Sequence, residues 1–134
     1  MDTAKGFSVS AWVRPTSLDK DGVVVCQDGT GEQGFTLGYD AVTQNWSFAL
    51  PANDVESLGE WKAAVTTTTT CKDSTTKPVC PNEWVHLAGT YAAATRKLQL
   101  YVNGELRKTT VRQSTWSAHD GLQIGRAVTK PGYS

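Results

Sequence analysis

An all-β, antiparallel β-sandwich is the fold this sequence predicts, and three observations carry the prediction. Apolar and polar residues alternate at period two along most of the chain, the spacing that sends successive side chains to opposite faces of a strand. Turn signals such as Asp28-Gly29-Thr30-Gly31, Pro51-Ala52-Asn53-Asp54 and Asn103-Gly104 punctuate that alternation. Helical spacing is confined to one short stretch. Nine short strands in a 134-residue chain describe two stacked sheets, a sandwich or jelly roll. The length suits a single domain over residues 1–134 with one continuous core.

The strands read off in order. In Phe7 to Arg14, Phe7, Val9, Ala11 and Val13 share one face and Ser8, Ser10, Trp12 and Arg14 the other, and Pro15, which cannot donate to a ladder, ends the run. Gly22 to Gln27, Gly34 to Tyr39 and Asn45 to Leu50 follow. Val55, Leu58, Trp61 and Val65 are spaced three to four apart, but Gly59 interrupts them and the β-branched run Thr66 to Thr70 favours an extended chain. The reading is therefore one helical turn at most near Asp54 to Leu58, then a strand from Trp61 to Thr70. Glu83 to Tyr91, Lys97 to Val102, Glu105 to Arg112 and Gly121 to Arg126 complete the set. Asn103-Gly104 between two alternating runs predicts a type I′ hairpin.

Thirteen basic residues balance thirteen acidic ones, which leaves no electrostatic footprint for nucleic acid or an anionic membrane. No apolar run approaches the roughly 20 residues of a membrane helix. No leader pattern stands between Met1 and Lys5, so any export signal is expected outside this chain. Cys71 and Cys80 flank a polar, Pro-containing loop. A disulfide there closes a ten-residue ring, contributes about 2–3 kcal/mol in the chain-entropy view and implies an oxidising, extracellular compartment. A metal pair is the rival, but no CxxC or nearby His supplies the remaining ligands. Cys26, within an apolar strand, reads as a small buried hydrophobe.

Motifs with catalytic meaning are sparse. Gly29-Thr30-Gly31-Glu32-Gln33-Gly34 matches G-x-G-x-x-G, but a strand follows where the dinucleotide mechanism needs a helix. The glycosylation sequon Asn45-Trp46-Ser47 lies within a strand. Glycosidases need two carboxyls set about 5 Å or somewhat farther apart across the scissile bond. Asp54, Glu56 and Glu60, like Asp19 and Asp21, read instead as solvated turn residues. His86 lacks an evident nucleophile and orienting acid, His119 reads as a loop residue, and no feature activates Cys26. The chain is read as a binding protein and not as an enzyme.

Several motifs in order resemble the laminin-G-like, concanavalin A-like jelly-roll family. They are Phe7-Ser8-Val9-Ser10-Ala11-Trp12-Val13-Arg14-Pro15, Gln27-Asp28-Gly29, Gly34-Phe35-Thr36-Leu37, Trp84-Val85-His86-Leu87-Ala88-Gly89-Thr90-Tyr91, Leu98 to Gly104, and Leu122-Gln123-Ile124-Gly125-Arg126. The wording is most similar to secreted proteins of actinobacteria. The resemblance implies a secreted module of a larger parent that recognises carbohydrate or a protein surface. Family domains usually begin a strand earlier and end a strand later, so the resemblance also implies a domain trimmed at both ends. Its open sheet edge would pair with a complementary β-strand peptide or a second copy. Laminin-G-like relatives often hold calcium at a loop rim, which makes Asp28 and Asp40 candidate ligands. Ala92, where the family commonly has Asp, weakens that inheritance. Five Trp are too many for so small a core, and an aromatic platform suits sugar. The candidate ligand contacts are Trp116, Trp61, Trp46 and Tyr39, with Trp12 and Trp84 expected to be structural.

Overall fold

The computed structural model describes residues 2–29, 33–51, 60–64, 68–112, 118 and 121–125, with the backbone alone described at 28, 33, 51, 60 and 61. Among these residues the strands are β1 (Phe7–Val13), β2 (Gly22–Asp28), β3 (Gln33–Asp40), β4 (Asn45–Pro51), β5 (Glu60–Ala64), β6 (Thr69–Thr70), β7 (Thr76–Lys77), β8 (Val85–Ala92), β9 (Lys97–Val102), β10 (Glu105–Val111) and β11 (Leu122–Ile124). A four-stranded sheet runs β1-β8-β9-β10, and a five-stranded sheet runs β11-β2-β3-β4-β5. Every pairing is antiparallel. The all-β sandwich is as expected.

Alternation fills the space between the sheets. Leu87 of β8 and Leu98 and Leu100 of β9 face Phe35, Leu37, Phe48 and Leu50 from β3 and β4, all fully buried. Phe7 joins Phe35, Phe48 and Tyr91 in an aromatic cluster with ring centroids 5.1 to 6.1 Å apart. Gly89 makes the room: a Cβ there would lie 2.7 Å from the Phe48 ring. Asn103 and Gly104 both have positive φ, 51° and 80°, as the type I′ turn between β9 and β10 requires.

Two sequence expectations need revision. The strand expected from Trp61 to Thr70 is not one element: β5 ends at Ala64, and Thr69 and Thr70 pair with Thr76 and Lys77 in a separate two-stranded sheet. The polar segment between the cysteines is therefore a small hairpin. Its turn has Ser74 at φ 69° and is closed by the Cys71 amide donating to the Thr75 carbonyl at 2.8 Å. The Cys71–Cys80 disulfide forms as expected and fits an oxidising compartment. The possible helical turn at Asp54 to Leu58 lies outside the described residues.

The two flanks of the sandwich differ. On one, β10 packs against β5, and the Thr110 hydroxyl donates to the Lys62 carbonyl at 2.9 Å. On the other, β1 faces β2 and β11 across a cleft of about 680 Å³ lined by Val9, Ala11, Trp12, Val25, Leu122 and Ile124 among others. Near one end, polar groups are buried. The Gln27 amide donates to the Ala118 carbonyl (2.8 Å), the Ala118 amide donates to the Thr3 hydroxyl (2.9 Å), and the guanidinium of the fully buried Arg112 lies over the Tyr91 ring. Burial pulls the Arg112 pKa down, while the neighbouring Tyr91 acts in the opposite direction.

Candidate functional site

The outer face of the four-stranded sheet is built by the polar halves of four alternating strands. Register places Trp12 opposite His86, Ser10 opposite Ala88 and Ser8 opposite Thr90. Continuing across β9 and β10, Ala88 faces Tyr101 and then Leu106, and Thr90 faces Gln99 and then Thr109. The face thus carries an aromatic end and a hydroxyl and amide centre. The Tyr101 hydroxyl donates to the Gln99 side-chain carbonyl, and the Gln99 amide donates to the Thr109 hydroxyl, both at 3.4 Å.

Trp12 is the main feature of this face. It is 67% exposed, with its ring 5.2 Å from the His86 imidazole at an angle of 58°. The strand beneath is held in place: the His86 amide donates to the Asn103 side-chain oxygen at 2.9 Å, and the Asn103 amide returns a bond to the His86 carbonyl at 2.8 Å. Nearby, the Arg14 Nε donates to the Asn82 carbonyl at 3.2 Å. Trp84, two residues before His86, is 66% exposed and lines a small notch of about 120 Å³ with Trp46, Glu83 and Asn103. An exposed indole on a firm backbone offers apolar area to the C–H face of a sugar, while the neighbouring hydroxyls and amides can bond its hydroxyls.

The expectation for Trp12 and Trp84 is overturned: neither is a core residue. The signal was in the alternation itself, because Trp12 shares its face with Ser8, Ser10 and Arg14, opposite Phe7, Val9, Ala11 and Val13. Two expected ligand contacts are corrected in the other direction. Trp46 is 2% exposed and Tyr39 is 7% exposed, and they pack edge to face, 5.9 Å apart, at the inner side of β3 and β4. The Tyr39 hydroxyl donates to the Leu18 carbonyl at 3.2 Å, and burial followed by the charges of Asp40, Asp19 and Asp21 raises its pKa. Trp61 has its backbone opposite Leu50 in β5, while its side chain, like all of Trp116, lies outside the described residues.

The calcium pair is also corrected. Asp28 lies opposite Gln33 at one end of the β2–β3 ladder, and Asp40 closes β3 at the other, roughly 23 Å away at 3.3 Å per residue, too far to share an ion. Asp40 has local partners. One carboxylate oxygen accepts from the Val42 and Thr43 amides, and the other meets the Lys62 ammonium at 3.1 Å. The pair borders a basin of about 330 Å³ on the outer face of the five-stranded sheet, floored by the small residues Thr36, Gly38, Ser47 and Ala49. Cys71, Cys80 and Glu83 bring ligand-type atoms within 4.8 Å of one another, but the disulfide engages both sulfurs. The G-x-G-x-x-G match falls on the connection between antiparallel β2 and β3, so no helix N-terminus follows it, as expected. Asn45-Trp46-Ser47 lies in β4, and Cys26 is buried, also as expected.

Comparison with known proteins agrees with this architecture. The family model Laminin_G_3, described as the concanavalin A-like lectin/glucanases superfamily, matches residues 1–133. The chain belongs to this superfamily. Among solved structures, the galectin LEC-6 of Caenorhabditis elegans superposes on 90% of this concanavalin A-like chain and 79% of its own, with a TM-score of 0.52 at 11% identity, a likeness of fold alone. No curated protein matches in sequence.

Proposed function

We propose that this chain is a non-catalytic, extracellular binding module for carbohydrate, which it takes on the outer face of the four-stranded sheet around Trp12. One observation carries the reading: a large indole stands two-thirds exposed on a regular strand, braced by His86 and bordered by hydroxyl and amide groups, where the core has no use for it. A superfamily of lectins and glucanases is compatible with both binding and hydrolysis. Binding is favoured because the described carboxylates are engaged in local structure: Asp21 accepts the Ala41 amide, Asp40 is paired with Lys62, Asp73 accepts from Thr75 and Glu83 accepts the Lys72 amide. The disulfide supports an extracellular setting.

Glycan-array screening followed by calorimetric titration tests the reading. A glycan ligand is expected, with affinity falling at least about tenfold on Trp12→Ala while the melting temperature stays within a degree or two, since an exposed ring contributes little to folding. No carboxylate shares the face with Trp12 on β1 or β8, so binding should be indifferent to EDTA. A protein ligand in place of a glycan, or glycan binding unchanged by Trp12→Ala, would overturn the assignment.

A further inference from the structure

We infer that the sugar taken at this face carries a carboxylate, as a uronic acid does, and that the Arg14 guanidinium beside Trp12 and Trp84 holds it. The inference rests on the carbohydrate reading above and names the class of sugar. Trp12 lies opposite His86 in the β1–β8 ladder, and Trp84 stands two residues before His86. The two exposed indoles are therefore diagonal neighbours on backbones about 7–8 Å apart, a spacing suited to adjoining rings of an oligosaccharide. One step past the Val13–Val85 pair, the same ladder brings Arg14 alongside Trp84. Arg14 is exposed, and its Nε donates to the Asn82 carbonyl at 3.2 Å, while the Asn82 amide donates to the Pro15 carbonyl at 2.6 Å. The side chain is thus anchored at Nε. Among the described residues its two terminal nitrogens have no partner.

Charge selects the ligand. β1, β8 and β9 contain no Asp or Glu, so none of these strands sets a carboxylate against an acidic sugar. Glu83, next to Trp84 in sequence, accepts the Lys72 amide at 2.8 Å. The cation of β9, Lys97, pairs with Ala92 at the far end of the ladder, about 20 Å along β8 from His86 at 3.3 Å per residue. Arg14 is therefore the cation of the aromatic end. A guanidinium meets a planar carboxylate through two parallel N–H···O bonds, and its paired terminal nitrogens offer one side of that fork. One anchored guanidinium beside two indoles matches a stacked ring that bears one carboxylate. A densely sulfated chain would call for several cations together, and a neutral sugar would draw nothing from Arg14.

Glycan-array screening of the full chain, then titration with the best uronic-acid oligosaccharide, tests it. Acidic oligosaccharides are expected to bind above their neutral counterparts. Reducing the carboxyls of that ligand to primary alcohols keeps its rings and should weaken binding at least about tenfold. Arg14→Gln should lose a similar factor for the acidic ligand and almost nothing for the reduced one, which also shows that the site remains folded. Arg14→Lys should recover only part of the loss, because an ammonium offers no fork. Lys97→Gln removes a positive charge from the far end of the same face, beyond a Debye length, and should change affinity less than about twofold. Trp12→Ala should weaken both ligands, which separates the stacking claim from the carboxylate claim. Equal affinity for acidic and reduced ligands overturns the inference and leaves the Trp12 reading in place, as does a preference for sulfated glycans without carboxyls. Equal losses with Arg14→Gln and Lys97→Gln also overturn it, by reducing the effect to general attraction. An array on which no glycan binds removes this inference and the carbohydrate reading together.

Discussion

β1 and β8 carry the same alternation, lie side by side in one sheet and point the same kinds of residue inward, yet they are buried to different depths. Val85, Leu87 and Tyr91 of β8 are buried, while Phe7, Val9 and Val13 of β1 are only half so. The difference is positional. β8 has β1 and β9 on its two sides, whereas β1 has β8 on one side and the apolar cleft on the other. The β10 flank shows how the same sheet ends when it is closed: a bulge, three charged residues and a hydrogen bond into the facing sheet. Period-two patterning thus determines which face a residue takes, and the neighbours on both edges determine how much that face is worth.

The largest expected effect follows from that contrast. Leu100→Ala, at a fully buried position in β9, should cost about 3 kcal/mol in urea unfolding, the usual toll for a large cavity. Val9→Ala, on the same inner layer but beside the cleft, should cost only about 1 kcal/mol, because its side chain is only partly buried against the core and lines the cleft. Equal losses would mean that the β1 flank is covered in solution, and the contrast between flanks would disappear.

What the sequence made legible follows the same division. Strand identity came from alternation, and the β9–β10 hairpin from Asn103-Gly104, because both depend on residues close together in the chain. The Cys71–Cys80 bridge was likewise local. The ligand face was harder. Tyr39 and Trp46 were expected at a site because aromatic residues were counted, whereas their strands turn them inward beside Phe48 and Leu50. The family motif makes Trp12 structural, but its own alternation places it with Ser8 and Ser10. Asp28 and Asp40 are candidate calcium ligands by family resemblance and by their places in turns, yet β3 runs its full length between them. The buried Arg112, reaching the Thr3 carbonyl at 3.3 Å across 109 positions, has no short-range signature at all.

A smaller effect sharpens the closed flank. Thr110→Val keeps the shape of the side chain but removes the hydroxyl that donates to the Lys62 carbonyl, tying β10 of one sheet to β5 of the other. The expected loss is about 1 kcal/mol, the ordinary net worth of such a bond. Hydrogen exchange should show its character, with faster exchange at β5 and β10 and unchanged exchange at β1. A loss spread evenly over both flanks would mean that the bond does not close this side in particular.

The smallest effect is acid-dependent and again belongs to the closed flank. Burial works to raise the Asp40 pKa, but the bonds from the Lys62 side chain and the Thr43 amide outweigh it and hold the carboxyl below its ordinary value of 3.8. A carboxyl depressed in the folded state stabilises the fold above its unfolded pKa and loses that contribution as pH falls through the folded value. Between about pH 6 and about pH 3 the wild type should therefore lose about 0.5 kcal/mol more stability than Asp40→Asn, a modest amount because the Lys62 partner remains one-third exposed. The gap should shrink in high salt, which screens the pair. Ser10→Ala on the open flank, where no charge lies on β1, should follow the wild-type acid curve throughout. If Asp40→Asn followed that curve too, the Asp40–Lys62 contact would add nothing in solution, and the stability of the closed flank would rest on the Thr110 bond and the packing of β10 on β5.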